Sequence, residues 1–314
     1  MPNFIEIGTA DSEISLYKQT NRQTDRETKI SKTVKMCSIT LLLCSFFQVY
    51  LKCVFQGIKR LHENCSYHLL LLTRIFRKLP KETYLGGGSL IHPNAVLTAA
   101  HLVSGERDLK VRAGEWDTVT TREIYPHQER DVASVVVHKD FIKQTLYYNI
   151  ALLFFTTPME LAPNVGVACL PPPESDTPDD TRCFATGWGK TRFGEEGQNA
   201  IILKKVILLS KRTCRSQLRN TRLGSAFELH STFMCAGGEP GRDTCRGDGG
   251  SPLFVFQGEK NRYYQSGIVA WGIGCGGDGV PGVYVDVVKL RPWIDDKMAG
   301  RGLDLNAYDH NARI

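Results

Sequence analysis

Three short segments of the chain contain the residue types that nucleophilic catalysis requires. They are residues 98–101 (Thr-Ala-Ala-His), 148–153 (Tyr-Asn-Ile-Ala-Leu-Leu) and 245–253 (Cys-Arg-Gly-Asp-Gly-Gly-Ser-Pro-Leu). Such catalysis needs a hydroxyl nucleophile, an imidazole that accepts its proton and a carboxylate that orients the imidazole. His101 is a candidate imidazole, and the glycine-rich segment carries its only hydroxyl at Ser251. The question is therefore whether these segments still support catalysis.

The composition indicates a globular protein from an oxidising compartment. The chain has 314 residues, 42% of them hydrophobic, which is enough for a core that needs no metal or cofactor. A net charge of +6 is too diffuse to indicate nucleic-acid binding. Ten cysteines without a C-x-x-C pair favour disulfides over a zinc or redox site.

The N-terminal part divides into three stretches before the main domain. Residues 1–35 form a polar extension of uncertain role, and residues 36–51 are typical of a signal peptide, with an apolar run too short for a membrane span. Residues 52–65 are interpreted as a linker. We therefore expect a secreted, extracellular protein whose main domain covers residues 66–300 and is followed by a tail at 301–314.

Short apolar runs separated by turn residues follow from about residue 66 and predict an all-β domain. The predicted strands are 66–72, 87–91, 95–98, 132–137, 150–155, 183–186, 201–209, 265–271 and 283–288. The second and third of these predict a hairpin. A lone helix is predicted at 291–298, starting near Pro292. The proline-rich segment 171–180 is predicted to connect two halves of the domain.

The three segments, in this order, resemble the chymotrypsin-like serine protease family. Residues 98–101 resemble its histidine motif, 148–153 its aspartate motif and 245–253 its serine motif. Further family signatures occur at residues 187–189, 271–272 and 281–284. The resemblance covers about residues 66–300 and implies a trypsin-like fold of two antiparallel six-stranded β-barrels with a C-terminal helix.

The resemblance also implies that the catalytic positions are degenerate. Gly249 stands at the nucleophile position, Asn149 at the carboxylate position, and Ala270 where a serine usually supports the aspartate. His101 remains, and Ser251 lies two residues beyond the nucleophile position, too far for productive attack. The implied protein is a pseudo-protease, and a weak protease that uses Ser251 is the less favoured alternative.

The activation chemistry of the family is altered as well. Family zymogens are cut before an Ile/Val-Val/Ile-Gly-Gly sequence, and the new ammonium pairs with the aspartate that corresponds to Asp248. No such sequence precedes residue 66. Asp248 is therefore expected either to find another partner or to leave a zymogen-like loop, in which the oxyanion donors of Gly247 and Gly249 need not be in position.

The specificity pocket of the family has counterparts in this chain. Asp243 matches the pocket floor of trypsin-like members, and Gly272 and Gly282 match its two open walls. Two interpretations stay open. The pocket could bind lysine or arginine side chains without cutting, or its geometry could persist because the barrel requires it.

The cysteine pattern agrees with the family only in part. The resemblance implies the bridges Cys214–Cys235 and Cys245–Cys275, whereas Gly86 and Leu102 replace both ends of the bridge beside the histidine. Cys183 lacks its usual partner, because Val255 stands at the position of that cysteine. Cys53 and Cys65 are candidate partners for Cys169, with Cys183 taking the other one. Their pairing stays open.

No metal site is required by these residues. Glu115, Asp117 and Glu129 lie around a loop that binds calcium in some family members, and oxygen ligands suit that ion. Calcium is therefore a weak alternative to the expectation of no cofactor.

The variant serine motif, together with residues 86–89 and 98–102, is similar to arthropod serine protease homologues of the phenoloxidase-activating factor 2 type. These are non-catalytic cofactors of melanisation, and they usually carry a six-cysteine clip domain, which the four cysteines before residue 66 do not predict. The resemblance implies a secreted binding protein of innate immunity whose partners are proteases or proenzymes of an extracellular cascade. A pattern-recognition or adhesion protein for microbial surfaces is the alternative, and neither nucleic acid nor a membrane span is expected.

Overall fold

The computed structural model describes residues 72–115, 117–118, 125–175, 178–190, 202–209, 211–257 and 262–309. The extension, the signal-like segment, the linker and most of the first predicted strand lie outside the described residues.

The first half of the domain is an antiparallel sheet of seven strands. They are β1 (Leu72–Arg77), β2 (Thr83–His92), β3 (Ala95–Thr98), β4 (Leu109–Ala113), β5 (Gln128–Asp131), β6 (Ser134–Val137) and β7 (Ala151–Phe154), in the order β5-β4-β1-β2-β3-β7-β6. The predicted hairpin of β2 and β3 is confirmed, with Ser89 opposite Leu97. The sheet has one strand more than expected because the chain changes partner after Asp131: β5 pairs with β4, whereas β6 pairs with β7.

The second half is a closed antiparallel barrel of six strands, as the family resemblance implies. They are β8 (Arg182–Gly187), β9 (Ile202–Leu209), β10 (Phe233–Gly237), β11 (Pro252–Gln257), β12 (Arg262–Trp271) and β13 (Pro281–Asp286), in the order β10-β13-β12-β11-β8-β9. The all-β, trypsin-like prediction is therefore confirmed.

The predicted C-terminal helix is confirmed, but it does not stand alone, because the described residues contain three α-helices. They are α1 (Ala100–Val103), α2 (Lys211–Arg219) and α3 (Val287–Ala299), followed by a 3-10 turn at Leu305–Ala307. The C-terminal helix begins five residues before Pro292 because the carboxylate of Asp286 caps it, accepting a hydrogen bond from the Lys289 backbone N–H at 3.2 Å. Pro292 therefore lies inside the helix and not in its first turn.

The segment after α3 packs back onto the domain, although the sequence predicts a tail from residue 301. Tyr308 is fully buried, and its hydroxyl donates to the Asp295 carboxylate at 2.9 Å. The Leu170 backbone N–H donates to the Tyr308 carbonyl at 2.9 Å. The packed domain therefore extends at least to Tyr308.

Two buried contacts join the sheet to the barrel. The Ser89 hydroxyl on β2 donates to Oε1 of Gln265 on β12 at 2.5 Å, and both side chains are inaccessible to water. Two residues before Ser89 on strand β2, the Gly87 N–H donates to the Gly249 carbonyl at 2.8 Å. These contacts fix the glycine-rich loop, residues 245–251, against strand β2. The candidate site therefore lies where the seven-stranded sheet and the barrel meet.

Candidate active site

Strand pairing brings His101 and Asn149 together. Thr98 at the end of β3 pairs with Ala151 at the start of β7. His101 follows β3 by three residues and Asn149 precedes β7 by two, so the antiparallel register places them on the same end of the strand pair. Asn149 is fully buried. Two segments that are 48 residues apart in sequence thus meet as the family resemblance implies.

The orientation of the Asn149 carboxamide is fixed by the His101 backbone. The His101 backbone N–H donates to an atom of the amide at 2.8 Å, and because an N–H only donates, that atom is the oxygen Oδ1. The nitrogen Nδ2 then faces His101 Nδ1 at 2.8 Å and donates to it. Oδ1 also lies 3.2 Å from Nδ1, but this contact is longer than the 2.8 Å contact from Nδ2. The shorter contact makes Nδ1 an acceptor, which assigns the proton of the neutral ring to Nε2.

The surroundings of His101 favour the neutral ring. Burial lowers the pKa of His101 from its ordinary value, because a charged imidazolium loses solvation there. A neutral ring with its proton on Nε2 donates a hydrogen bond into the cleft. A general base for a serine hydroxyl needs the opposite arrangement, with a lone pair on Nε2.

The glycine-rich loop places Gly249 directly in front of this nitrogen. A Cβ atom at Gly249 would lie 3.2 Å from His101 Nε2 and 3.6 Å from Leu102 Cδ2. The nucleophile position is therefore correctly placed beside the imidazole, but glycine supplies no hydroxyl there. An acyl-enzyme cannot form through this residue.

Ser251, the alternative nucleophile, is not accessible. Its side chain is fully buried, and its hydroxyl has no hydrogen-bond partner in the described part of the chain. The hydroxyl lies against the backbone of Gly87, where any side chain would collide with it. Nε2 of His101 faces Gly249 instead. The geometry thus argues against a protease that uses Ser251.

Asp248 finds partners within the protein, which is one of the two outcomes that the sequence leaves open. Its oxygen Oδ1 accepts the Gly189 N–H at 2.7 Å and Oδ2 accepts the Cys245 N–H at 2.8 Å, with the side chain 1% exposed. Gly187 and Gly189 are glycines for a physical reason, because a Cβ at either position would collide with this carboxylate.

A contact that the sequence did not predict anchors the same loop. The Tyr84 hydroxyl on β2 donates to the Gly247 carbonyl at 2.9 Å, and burial raises the pKa of this phenol. Gly247 has a φ of +100°, which glycine adopts without steric strain. The only sequence signal was an aromatic residue two positions before the Gly86-Gly87-Gly88 run.

The pocket residues lie around a buried carboxylate. Asp243 is 8% exposed, and its two oxygens accept the Thr244 N–H at 2.7 Å and the Gly276 N–H at 3.0 Å. A Cβ at Gly282 would approach Oδ1 of Asp243 to 3.1 Å, whereas at Gly272 the nearest atom would be 3.7 Å away. Gly282 therefore borders the carboxylate closely, and Gly272 faces more open space.

Two disulfides brace the barrel and its loops. The structure joins Cys214 to Cys235, and Cys245 to Cys275, with Cα atoms 6.1 and 5.3 Å apart. The second bridge connects the glycine-rich loop to the segment after β12, and so fixes the residues on both sides of Asp243.

The positions of the absent bridge beside the histidine are occupied by apolar contact. A Cβ at Gly86 would meet Cδ1 of Leu102 at 2.5 Å, which shows that the leucine side chain fills the space of the missing disulfide. Ala270, which stands where a serine usually supports the aspartate of the family, is buried as well.

Cys183 and Cys169 differ in state. Cys183 is a buried free thiol that lies opposite Val255 in the β8–β11 pairing, and burial raises its pKa to about 12. The expectation that Cys183 pairs with one of the N-terminal cysteines is therefore wrong. Cys169 is disulfide-bonded, and its partner lies outside the described residues.

The carboxylates considered for calcium have cationic neighbours. Glu115 is paired with Arg74 at 2.5 Å and with Arg112 at 2.8 Å. Glu129 is paired with Lys110 at 3.1 Å and with Arg112. In the described residues no group of three or more acidic, histidine or cysteine side chains could hold a metal ion.

Comparison with known proteins identifies the family of the chain. The trypsin family model matches residues 73–294. The chain is 65% identical to phenoloxidase-activating factor 2 of Galleria mellonella over 230 residues, which are 72% of this chain and 76% of that protein.

Two mosquito relatives are named inactive. The chain is 41% identical to inactive CLIP domain-containing serine protease A28 of Anopheles gambiae over 70% of this chain and 58% of that protein. It is 44% identical to inactive CLIP domain-containing serine protease A3 of Aedes aegypti over 68% of this chain and 46% of that protein. The chain thus spans about half the length of these two relatives. It belongs to the trypsin family, and within that family it is similar to phenoloxidase-activating factor 2 and to proteins named inactive serine proteases.

Proposed function

We propose that this chain is a secreted, non-catalytic serine protease homologue that acts as a binding cofactor or regulator in a proteolytic innate-immune cascade such as prophenoloxidase activation. The observation that carries the proposal is the pairing of Asn149 with His101. The amide directs the imidazole proton onto Nε2, towards Gly249, which has no hydroxyl. The site therefore has neither a nucleophile nor a base.

The rest of the site supports a binding role. The loop that carries Gly249 is held by Tyr84, by the two N–H groups on Asp248 and by the Cys245–Cys275 bridge. An ordered cleft without catalytic groups can hold a peptide and release it intact. The buried carboxylate of Asp243 favours a basic side chain at the base of the cleft.

Secretion is part of the proposal and rests on two features of the chain. Residues 36–51 are typical of a signal peptide. The bridges Cys214–Cys235 and Cys245–Cys275 require an oxidising compartment to persist. None of the helices among the described residues is long and apolar enough to cross a membrane.

A reconstituted cascade tests this function. The full chain would be produced by secretion from insect cells and added to prophenoloxidase together with an active cascade protease. We expect phenoloxidase activity to rise with the concentration of the chain, while the chain alone cleaves no arginine ester and is not labelled by a fluorophosphonate. Asp243→Asn removes the charge of the pocket and should weaken this enhancement of phenoloxidase activity. Asp140→Asn, the matched control at an exposed carboxylate, should leave the enhancement unchanged.

Two results would contradict the proposal. One is phenoloxidase activity that does not depend on the chain at any concentration. The other is tight binding of the chain to bacterial or fungal cell walls without any effect on proenzyme activation, which would favour the adhesion alternative.

A further inference from the structure

Arg74 on strand β1 is a cation that is withdrawn from solvent. The residue is 5% exposed, and its guanidinium pairs with the Glu115 carboxylate at 2.5 Å. Because the solvation cost of a buried ion pair often equals its attraction, the pair alone is weak evidence of why an arginine is placed here. Glu115 also pairs with Arg112 at 2.8 Å, so it does not depend on Arg74 for a cationic partner. The position of Arg74 therefore requires another physical reason.

The strand register directs Arg74 towards the glycine-rich loop. Arg74 lies opposite Gly87 in the antiparallel pair of β1 and β2. Residues that are directly opposite each other project to the same face of a sheet. On that face a Cβ at Gly87 would collide with the hydroxyl of Ser251, the last residue of the loop. The Arg74 side chain therefore projects to the face of the sheet against which the loop packs.

Three aromatic rings surround the guanidinium. Its carbon Cζ lies 4.8 Å from the ring centroid of Phe76, 4.9 Å from that of Tyr84 and 5.6 Å from that of Trp188. These distances fall within the range in which the negative face of a ring attracts a cation. Phe76 and Trp188 are buried, and such contacts are stronger where water is excluded. The planar guanidinium is therefore held by its rings as well as by its carboxylate.

Two of these rings belong to the segments that fix the glycine-rich loop. The Tyr84 hydroxyl donates to the Gly247 carbonyl at 2.9 Å. Trp188 immediately precedes Gly189, whose N–H donates to Oδ1 of Asp248 at 2.7 Å. A displacement of the guanidinium would therefore affect the anchors of two consecutive loop residues.

We propose that Arg74 is the positioning residue that orders the glycine-rich loop in the uncut chain, and that it acts through the rings of Tyr84 and Trp188. A cation from the sheet then supports the loop, and no ammonium group produced by cleavage is required. This role concerns how the loop acquires its order and not what the cleft binds, so it does not depend on the cofactor function. The loop has the same order before and after any cut in the chain.

Amide hydrogen exchange of the intact, secreted chain tests this role. In the wild-type chain the amides of residues 245–251 should be protected from exchange. Arg74→Met removes the charge but retains a long apolar side chain, and Glu115 keeps Arg112 as its partner. Exchange in residues 245–251 should become about 10- to 30-fold faster, the range for the loss of a desolvated cation–π contact. Exchange in α3 is the internal reference and should not change.

Two further variants separate positioning from a general effect on the sheet. Arg77→Met is the matched control on the same strand, where the arginine is 38% exposed and pairs with Glu106 at 3.2 Å. It should change exchange in residues 245–251 by less than about twofold. Arg74→Lys retains the charge but lacks the planar group that stacks on two rings at once, so it should accelerate exchange by about threefold.

Three results would overturn the assignment. Unprotected amides at residues 245–251 of the intact wild-type chain would show that the loop is not ordered without a cut. Equal acceleration of the loop and of α3 in Arg74→Met would show a general loss of stability. Unchanged exchange of the loop in Arg74→Met would show that the arginine does not position it, and if only Arg74→Lys can be purified, unchanged exchange in that variant has the same meaning.

Discussion

The Asn149 carboxamide makes two hydrogen bonds of 2.8 Å to His101, with its oxygen on the backbone N–H and its nitrogen on Nδ1, while the oxygen lies farther from Nδ1, at 3.2 Å. The first contact orients the amide and the second sets the tautomer of the ring. A carboxylate at the same place would accept both hydrogen bonds and leave a lone pair on Nε2. A single change from oxygen to nitrogen therefore converts the imidazole from a potential base to a donor.

The first prediction concerns restoration of a nucleophile. Gly249→Ser alone should give no measurable ester hydrolysis, because the imidazole still has its proton on Nε2. In the catalytic-triad template, asparagine in place of aspartate costs about 10⁴-fold in kcat. The double variant with Asn149→Asp should therefore hydrolyse an arginine thioester faster than either single variant, measured by thiol release. Equal rates for Gly249→Ser and the double variant would contradict the assigned role of Asn149.

A second prediction concerns the free thiol of Cys183. Its Cα lies opposite that of Val255 in an antiparallel pair, and both side chains are buried. Val255→Cys should form a bridge across β8 and β11 and raise the free energy of unfolding by about 2–4 kcal/mol. The measurements are urea denaturation and thiol titration of the unfolded protein, with Val255→Ser as the control that cannot form a bridge. Free thiols at both positions 183 and 255 in the oxidised variant would show that the pairing of β8 with β11 is wrong.

The third prediction concerns the contact between Tyr84 and Gly247. Tyr84→Phe removes the hydroxyl that donates to the Gly247 carbonyl and leaves the rest of the ring in place. The loss of one such bond should lower the free energy of unfolding by about 1 kcal/mol. Faster amide hydrogen exchange in residues 245–250 than in the wild-type chain is the more specific readout. Unchanged exchange in that segment would mean that the tyrosine does not anchor the loop.

The pH dependence of stability provides a fourth prediction. Burial lowers the pKa of His101, so the native state favours the neutral ring. The unfolded chain then binds more protons as the pH falls below the ordinary histidine value, about 6.5. The stability that His101 contributes is present above this pH and is lost as the pH falls through the lowered native pKa. Urea midpoints at pH 7.5 and 5.5 should therefore differ less in His101→Gln than in the wild-type chain, and an equal difference would contradict the account.

The sequence predicted the elements that depend on local pattern and missed those that depend on distant partners. The β2–β3 hairpin follows from two short apolar runs and the turn between them. The six-stranded barrel was implied by the family resemblance, because the apolar runs did not predict its strands β10 and β11. The division of β5 and β6 does not, because only their different partners separate them. The sequence predicts too late a start for α3, because a proline such as Pro292 is typical of a first helical turn, whereas the residue that caps the helix is Asp286.

The candidate site shows the same limit. The resemblance located His101, Asn149 and Gly249, which the structure brings together. The direction of the Asn149 amide could not be predicted, since it depends on a backbone N–H 48 residues away. The internal partners of Asp248 likewise come from separate segments that meet only in the folded barrel.

The tautomer of His101 is the most direct test of the account, because the absence of a general base at the site follows from it. The measurement is the ¹⁵N chemical shifts of the imidazole in the selectively labelled full chain at pH 7.5, with Asn149→Asp as the reference of opposite tautomer. We predict a protonated Nε2 and an unprotonated Nδ1 in the wild-type chain and the reverse in the variant. A proton on Nδ1 in the wild-type chain would contradict the account.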